Sequence, residues 1–476
     1  MTRHRAEAPH EVRPAQAPAV DAAPLPAPEP GGEPWSTSVR RGTDGALAVA
    51  GLDVREIARE HGTPAYVVDE ADLRGRARAF ADAFAAAFAP EAGMAGADVY
   101  YAGKAFLSVA VARWVHEEGL RVDTATGGEL AVAARAGVPG AAIGLHGNNK
   151  SDAEITAALE HGVGRIVVDS LPEIDQVAAV AARLGVVAPV MVRVTTGVHA
   201  GGHEFIATAH EDQKFGLSLT SGAAAKAVET ILARPELELI GLHSHIGSQI
   251  LDLAGFEVAA RAVLGLRADV AARTGHLVPE IDLGGGYGIS YTGHDGVPPT
   301  PEQIATTLAG AVRRACADLG SDVPRISVEP GRSIVGPAAL TLYTVGTVKD
   351  VALDDGGRRT YVSVDGGMSD NIRPALYQAE YTATLASRAS DAEPVTARVV
   401  GKHCESGDIV VHGVALPADI RAGDLLAVPA TGAYGRSMAS NYNMVPRPPV
   451  LAVRDGQARV LVRRETIEDL LALDEG

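Results

Sequence analysis

The sequence predicts an α/β protein built on a parallel (β/α)8 TIM-type barrel, with a mostly antiparallel β-sandwich or β-barrel domain after it. Two observations carry this prediction. Eight short apolar runs alternate with amphipathic stretches up to Glu329, and β-branched runs joined by turns follow Gly336. Continuous apolar strands that alternate with helices are typical of a parallel sheet covered on both faces. A doubly wound open sheet shares this local pattern, but a count of eight favours closure into a barrel.

Each predicted barrel strand is followed by a helical pattern and then by a Gly-rich or polar turn. Leu107–Glu118 and Glu173–Leu184, for example, carry apolar residues at three- and four-residue spacing, the periodicity of a helix with one buried face. The predicted strands are, in chain order, Asp98–Ala105, Arg121–Ala125, Ala141–His146, Arg165–Asp169, Val190–Thr195, Leu239–His245, Glu280–Leu283 and Arg325–Glu329.

The C-terminal part has short runs without intervening helical patterns, which predicts an antiparallel β domain. We expect Ala46–Val49 and Ala65–Val68 to add strands to it. The chain then divides into a tail (1–34), N-terminal strands (35–78), a ligand-binding barrel (79–336) and a β domain (337–476). The predicted C-terminal strands are Leu340–Val348, Thr360–Val364, Ala397–Val400, Asp408–Val411, Asp424–Val428 and Ala458–Val462.

The composition limits the classes of partner. The 476 residues include 42 Lys and Arg against 59 Asp and Glu, a net charge of −17. This excess of acid argues against binding to nucleic acid or to an anionic membrane, because both need clustered cations. Two cysteines are too few for a disulfide framework. No uncharged apolar stretch has transmembrane length, and the basic N-terminus lacks the apolar core of a secretory signal, so we expect a cytoplasmic protein.

The segment Met1–Pro34 is compositionally separate, since nearly half of its positions are Ala or Pro. A segment with so few large apolar side chains cannot offset the entropy lost on ordering. The sequence therefore predicts a disordered tail.

Polar residues collect at the C-terminal ends of the predicted barrel strands, which is where such barrels carry their active sites. Seven of the eight strands contribute. The segments are Tyr100-Tyr101-Ala102-Gly103-Lys104, Asp123, His146-Gly147-Asn148-Asn149-Lys150, Arg193, His243-Ser244-His245-Ile246-Gly247-Ser248-Gln249, Asp282-Leu283-Gly284-Gly285-Gly286 and Glu329-Pro330-Gly331-Arg332.

Each feature alone has an ordinary explanation. A strand-end lysine such as Lys104 is more often a solvated charge than a nucleophile. His243 and His245 lie two apart on a strand and face the same way, so they are either metal ligands or a buried hydrogen-bonded pair. In combination, a lysine, a glycine-rich anion cradle, a ring-stacking histidine and a carboxylate are the parts that a pyridoxal phosphate site requires.

The ordered motifs resemble those of the alanine-racemase-like (fold type III) decarboxylases, which use pyridoxal phosphate, and within them the diaminopimelate decarboxylases. The resemblance runs from about Gly62 to Asn443. The matching motifs are Tyr101-Ala102-Gly103-Lys104-Ala105, Gly147-Asn148-Asn149-Lys150, Lys214-Phe215-Gly216, His243 to Gln249, Glu329-Pro330-Gly331-Arg332, Arg373-Pro374-Ala375-Leu376-Tyr377, Cys404-Glu405-Ser406-Gly407-Asp408 and Gly432-Ala433-Tyr434.

The resemblance implies a role for each matching position. Lys104 would hold the cofactor covalently, His245 would stack on its ring, and Glu329 would pair with its pyridine nitrogen. Cys404 would donate the proton that replaces the lost carbon dioxide, and in similar enzymes this cysteine comes from the partner subunit of a homodimer. The other implied cofactor-binding residues are Asp123, Arg193, Ser248, Gly284, Gly285, Gly286, Pro330, Gly331, Arg332 and Tyr434.

Glu329 and two arginines indicate the reaction and the substrate. A carboxylate keeps the pyridine nitrogen protonated, which suits decarboxylation, whereas the related racemases have an arginine there. Arg332 and Arg373 would bind the distal carboxylate of meso-diaminopimelate, and Glu405 its distal ammonium. Tyr377 and Tyr434 would complete the substrate site. The implied reaction forms L-lysine and carbon dioxide, as the last step of lysine biosynthesis.

Three alternatives remain open on the sequence. The chain could decarboxylate another substrate, such as carboxynorspermidine, ornithine or lysine. It could be a non-catalytic homologue that only binds pyridoxal phosphate, or a metal-dependent hydrolase built on His243 and His245. It also departs from the family pattern at Phe106, at Thr126 and at Lys402-His403.

Overall fold

The structure, a computed structural model, describes residues 28–202, 204–207, 214–354 and 356–476. Most of the predicted disordered tail therefore lies outside the described residues. The first contacts are made before Pro34, earlier than expected: Trp35 Nε1 donates to the Pro28 carbonyl at 2.8 Å, and the Ser290 N–H donates to Glu33 Oε2 at 3.3 Å. Trp35 is buried, and this anchors the segment.

The strands fall into a barrel and a second sheet system. In chain order they are β1 (Arg40–Arg41), β2 (Leu47–Val49), β3 (Leu52–Asp53), β4 (Ala65–Asp69), β5 (Ala97–Ala102), β6 (Arg121–Thr124), β7 (Ile143–Leu145), β8 (Arg165–Val168), β9 (Ala188–Thr195), β10 (Val198–Gly202), β11 (Glu204–Ala207), β12 (Leu217–Ser218), β13 (Leu237–His243), β14 (Gly247–Ile250), β15 (Glu280–Asp282), β16 (Arg325–Val328), β17 (Ala339–Ala352), β18 (Arg358–Val364), β19 (Thr384–Leu385), β20 (Pro394–Val400), β21 (Ile409–Pro417), β22 (Leu425–Pro429), β23 (Val450–Arg454) and β24 (Gln457–Val462).

The helices mostly follow barrel strands. They are α1 (Val54–His61), α2 (Glu70–Ala87), α3 (Val109–Glu117), α4 (Gly127–Arg135), α5 (Asp152–His161), α6 (Leu171–Leu184), α7 (Ala223–Leu232), α8 (Ala254–Thr274), α9 (Pro301–Leu319), α10 (Arg332–Val335), α11 (Arg373–Tyr377) and α12 (Ile467–Leu471).

Local sequence explains where several of these helices begin and end. Ser151 begins α5 with a capping box, because its side chain accepts the Glu154 N–H while Glu154 accepts the Ser151 N–H. Thr300 and Gln303 do the same for α9. Glycines in the left-handed region, such as Gly162, end the helices by accommodating a backbone that other residues adopt at a cost.

Eight parallel strands close into the predicted barrel, in the order β5-β6-β7-β8-β9-β13-β15-β16. Hydrogen bonding between β8 and β9 and between β16 and β5 completes the circle. Each of these strands overlaps a predicted run. The closed form is therefore confirmed, and the open-sheet alternative is wrong. One large apolar cluster fills the space between the barrel and its surrounding helices.

A second sheet system follows, in the order β21-β20-β18-β17-β4-β23-β24, with β22 paired to β17. Most of its pairs are antiparallel, but β18–β20 and β4–β23 are parallel. The β4 strand joins this sheet, as the sequence indicated. The β2 strand instead forms a small sheet with β1 and β3 that packs against it through a shared apolar cluster.

Arg165 ties the interior of the barrel together. It lies on β8 and reaches across to β15, where its Nη1 is 3.1 Å from Asp282 Oδ2 and its Nη2 is 2.6 Å from Glu280 Oε1. Its guanidinium carbon also lies 3.9 Å from the centre of the Tyr100 ring.

Among the described residues, no helix combines the length and apolar character needed to cross a bilayer.

We expect Arg165→Met to lower the free energy of unfolding by about 3 kcal/mol, because it leaves buried carboxylates without their cation. Denaturant unfolding of the full chain measures this. Arg314→Met is the matched control: Arg314 pairs with Glu257 on the surface, with 64% of its side chain exposed, and its loss should cost less than about 1 kcal/mol. Equal, small losses for both variants would contradict a structural role for the Arg165 network.

Candidate active site

A cavity of about 380 Å³, which we call the central cavity, opens at the C-terminal ends of the barrel strands. Its lining comes from six of the eight strand ends and from loops that follow them. The residues that carry polar or charged side chains there are Lys104, Asp123, Thr124, His146, Asn148, Arg193, His243, His245 and Glu329. Polar groups on different strands therefore converge on one space.

Two further cavities adjoin the central cavity, and Lys104 lines all three. The cradle cavity has a volume of about 60 Å³ and is bordered by Ser248, Gly286, Gly331, Arg332 and Tyr434 among others. The outer cavity, of about 700 Å³, is bordered by Arg332, Arg373, Tyr377 and Tyr434 among others. Lys104 thus lies where a ring-sized space, a small cradle and a more open space meet.

Glu329 lines the central cavity and lies between two histidines. His243 Nε2 is 3.0 Å from Glu329 Oε1, and His146 Nε2 is 3.3 Å from the same oxygen. Burial alone would raise the pKa of Glu329, but interactions led by His243 outweigh burial and lower that pKa well below its usual range. Burial lowers the pKa of His146 to about 4, so this ring is neutral at neutral pH.

Asp123 shares the central cavity with Glu329, and its pKa is shifted in the opposite direction. Burial, with the negative charge of Glu329 nearby, raises the pKa of Asp123 well above its usual range. The pKa values of two carboxyls that compete in this way are pushed apart. Glu329, whose pKa is lowered, is therefore an anion at neutral pH.

His245 lines both the central cavity and the cradle cavity. Burial and then the neighbouring charge of Lys104 lower the pKa of His245 well below the usual range, so its ring is neutral. A neutral ring facing a cavity suits stacking on an aromatic ligand.

The glycine triplet is required by the packing around it. A Cβ on Gly284 would meet the Ser244 carbonyl oxygen at 2.5 Å, and one on Gly285 would overlap the Glu329 carbonyl oxygen. Gly286 borders the cradle cavity directly, whereas the Gly284 N–H already donates to Asp282 Oδ1 at 2.7 Å. Gly284 and Gly285 therefore shape the cradle from behind. Pro330 also lies outside the cavity lining, and its carbonyl accepts the Ala102 N–H.

Arg332 and Arg373 face the outer cavity. Arg332 Nη2 donates to Ser248 Oγ at 2.9 Å, which connects the cradle cavity to the outer cavity. Neither arginine forms an ion pair with a carboxylate in the part of the chain that the structure describes. Such cations on a shared cavity favour an anionic ligand.

Cys404 and Glu405 do not join the other predicted site residues. Both are exposed, and neither borders any of the three cavities. Within one chain the site therefore contains Lys104 but not the predicted proton donor.

The sequence analysis placed His146 at the barrel rim but gave it no role, and it did not select Tyr291. His146 ends a predicted strand in the motif His146-Gly147-Asn148, so its position was a usable signal. Tyr291 lies in an irregular loop after β15 with no periodicity to mark it, and it borders the outer cavity.

Comparison with known proteins shows the family to which the chain belongs. Residues 71–336 match the family of the pyridoxal-dependent decarboxylases, in its pyridoxal binding domain. The diaminopimelate decarboxylase of Mycobacterium tuberculosis (strain ATCC 25618 / H37Rv) is 54% identical over 92% of this chain and 97% of its own length. The chain belongs to the diaminopimelate decarboxylase family.

Other relatives in this family agree in sequence and in fold. The diaminopimelate decarboxylase of Bacillus subtilis (strain 168) is 45% identical over 91% of this chain and 96% of its own. The crystal structure of the diaminopimelate decarboxylase from M. jannaschii in complex with L-lysine superposes with a TM-score of 0.84, at 31% identity, and the match covers 93% of this chain and 98% of the other.

The cofactor of this family is pyridoxal phosphate, and the cavity residues fit it. Both carboxylate oxygens of Asp123, His146 Nε2 and Glu329 Oε1 are buried, and none of them makes a hydrogen bond of good geometry to the described residues, although the two histidines approach Glu329 Oε1 to 3.0 and 3.3 Å. Buried polar atoms without partners are costly, so they mark a place for a polar ligand. The cradle cavity, which Gly286 borders, would hold the phosphate of the cofactor. Lys104 borders this cavity and the central cavity.

The metal-dependent alternative is not favoured by this geometry. His245 does not join His243 in a ligand set; instead His146, His243 and Glu329 bring three ligand atoms within 4.8 Å of one another. That cluster lies within the central cavity, and it includes the carboxylate that the sequence resemblance assigns to the ring nitrogen of the cofactor.

We expect Gly285→Ala to weaken pyridoxal phosphate binding at least about tenfold, because its Cβ would push the Glu329 backbone out of place. An absorbance titration of the cofactor-depleted protein measures the dissociation constant. Gly265→Ala, in α8 with nothing within 4 Å of the added Cβ, is the matched control. Unchanged affinity in Gly285→Ala would show that the cradle does not fix Glu329.

Proposed function

We propose that this chain decarboxylates meso-diaminopimelate to L-lysine and carbon dioxide, with pyridoxal phosphate as cofactor. The observation that carries the proposal is the arrangement of Lys104 and Glu329 on the central cavity, which adjoins an outer cavity that two arginines face. Family membership at 54% identity supports the same reaction.

The residues of the chain divide the work of holding the cofactor. Lys104 would bind it covalently, His245 would stack on its ring, and Ser248, Gly286 and Tyr434 would surround its phosphate. When bound, pyridoxal phosphate supplies an electron sink for the pair of electrons released with carbon dioxide. Glu329, anionic between its histidines, would hold a proton on the ring nitrogen.

Tyr434 is held in place by its backbone. Its φ of 59° lies in the left-handed region, and its N–H donates to the Ala105 carbonyl at 2.8 Å. A strained residue kept by a hydrogen bond at a cavity wall is a common feature of functional sites. Here it would fix the tyrosine beside Lys104, at the junction of the cradle cavity and the outer cavity.

Arg332 and Arg373 would orient the substrate. Diaminopimelate carries a second carboxylate, whereas ornithine, lysine and carboxynorspermidine do not present the same amino-acid group at that end. Two guanidinium groups that lack a carboxylate partner among the described residues would repel a lone terminal amine and attract this carboxylate. The outer cavity therefore favours diaminopimelate over these alternatives.

We further propose that the active enzyme is a homodimer in which Cys404 and Glu405 reach the partner's cavity. Both are exposed in the single chain, and an apolar surface lies nearby on the same domain: Tyr442 packs on His403, and Met444 is 53% exposed. Exposed apolar side chains beside a functional cysteine are typical of a surface that a second subunit covers.

The decisive test of the reaction is product analysis. Purified protein with pyridoxal phosphate should convert meso-diaminopimelate to L-lysine, and it should act at least about tenfold less well on L-lysine, L-ornithine and carboxynorspermidine. Lys104→Ala should lose both turnover and the visible absorbance of the lysine-bound cofactor. Preferred turnover of carboxynorspermidine would show that the chain is a carboxynorspermidine decarboxylase. An unchanged absorbance spectrum in Lys104→Ala would exclude Lys104 as the residue that binds the cofactor covalently.

Mixing two inactive variants tests the shared site. Lys104→Ala and Cys404→Ala should each be inactive alone, yet after subunit exchange at equal amounts they should recover about a quarter of wild-type activity. The reason is that half of the dimers are then mixed, and each mixed dimer has one complete site. No recovery after verified exchange would place Lys104 and Cys404 in the same subunit's site, and activity of Cys404→Ala alone would remove Cys404 from the chemistry.

A further inference from the structure

Tyr291 contacts both arginines of the outer cavity. Arg332 Nη1 donates to the Tyr291 hydroxyl, and the guanidinium carbon of Arg373 lies 4.6 Å from the centre of the Tyr291 ring. One side chain therefore touches two cations through different parts of its structure, the hydroxyl and the π face.

Tyr381 holds Arg373 from the other side. Arg373 Nη1 donates to the Tyr381 hydroxyl, and the rings of Tyr291 and Tyr381 meet edge to face with centroids 5.1 Å apart. Both tyrosines are buried. The two rings form a rigid support from which the arginine heads project toward the outer cavity.

The loop that carries Tyr291 is fixed by a carboxylate. Asp295 Oδ2 accepts the N–H groups of Tyr291 and Thr292 at 2.6 and 2.9 Å. Asp295 also borders the outer cavity, but its oxygen is engaged by the loop and it forms no ion pair with either arginine in the described chain. Glu380, at the same cavity, forms no such pair within the described ranges either. The two guanidinium groups therefore remain available to a ligand.

We propose that Tyr291 is a positioning residue that, with Tyr381, sets the two guanidinium groups for the distal carboxylate of the substrate, and so determines specificity. This inference rests on the proposed function. A free arginine side chain loses considerable rotamer entropy when a ligand fixes it. Tyr291 removes part of that loss beforehand, because it holds both heads near the positions that bidentate carboxylate binding needs.

The role of Tyr291 is specific to the carboxylate. L-lysine retains the carboxylate of the distal end, whereas cadaverine has the same carbon chain with an amine at each end and no carboxylate. Comparing these two inhibitors isolates recognition of that one group, since neither measurement depends on the chemical step.

The experiment compares Tyr291→Phe with the wild-type holoenzyme. We expect the inhibition constant for L-lysine to rise about tenfold and that for cadaverine to change less than about twofold. The KM for meso-diaminopimelate should rise with the L-lysine constant, while kcat and the visible cofactor absorbance stay near wild type. Tyr381→Phe, which removes the hydroxyl that accepts from Arg373, should shift the L-lysine constant in the same direction.

Tyr343→Phe is the matched control. Its hydroxyl bonds the Asp370 carboxylate in the same apolar cluster as Tyr291 and Tyr381, but Tyr343 borders none of the three cavities among the described residues. It should lower stability without changing the ratio of the two inhibition constants.

Two results would overturn the inference: an unchanged L-lysine constant in Tyr291→Phe, or equal rises for L-lysine and cadaverine. Failure of the proposed function looks different, because the wild-type enzyme itself would then fail to produce lysine from meso-diaminopimelate. The activity of the wild-type enzyme on meso-diaminopimelate therefore distinguishes failure of the Tyr291 inference from failure of the proposed function.

Discussion

The site depends on one buried anion. Glu329 is only 7% exposed, and the groups beside it are imidazoles rather than a lysine or an arginine. A hydrogen-bond donor or a cation from a ligand stabilises such a buried carboxylate further. A protonated pyridine nitrogen would be a donor of this kind. The position of the anion is fixed in turn by the chain, because the Glu329 carbonyl leaves room for nothing larger than glycine at position 285.

The adjoining cavities differ in the polar groups that they offer to a ligand. The central cavity contains two carboxyls, three histidines and Arg193, whereas the outer cavity presents Arg332 and Arg373, with Asp295 and Glu380 also on its border. Lys104 borders both. A substrate with a carboxylate at its far end would therefore enter with that end held at the arginines and its reacting end at Lys104. Binding at the arginines thus determines which of the two similar ends of the substrate reaches Lys104.

The periodicity of the sequence predicted the barrel well, because buried parallel strands are continuous apolar runs, and it placed Lys104 and Glu329 at one rim. Other features depend on contacts that no local pattern encodes. The β23 strand was missed, and its parallel partner β4 lies near the opposite end of the chain. Tyr291 matters only because Arg332 and Arg373, which come from other segments, meet it in space. The sequence did not predict that Cys404 is exposed and lies away from the cavities, because its motif resembles the family as closely as the motifs that do line them.

Cys404 is exposed, but hydrogen bonds of the residue before it fix the backbone that carries it. His403 belongs to the Lys402-His403 pair that departs from the family pattern, and it is buried: its Nε2 lies 2.8 Å from Ser369 Oγ and its Nδ1 lies 3.0 Å from Asn443 Oδ1. Asp408 accepts the N–H groups of His403 and Met368 at 2.7 and 2.6 Å. Hydrogen bonds within one chain therefore fix this turn. In the proposed dimer, a thiol held in this way would lose little entropy on docking into the second chain, which is a condition for a shared active site.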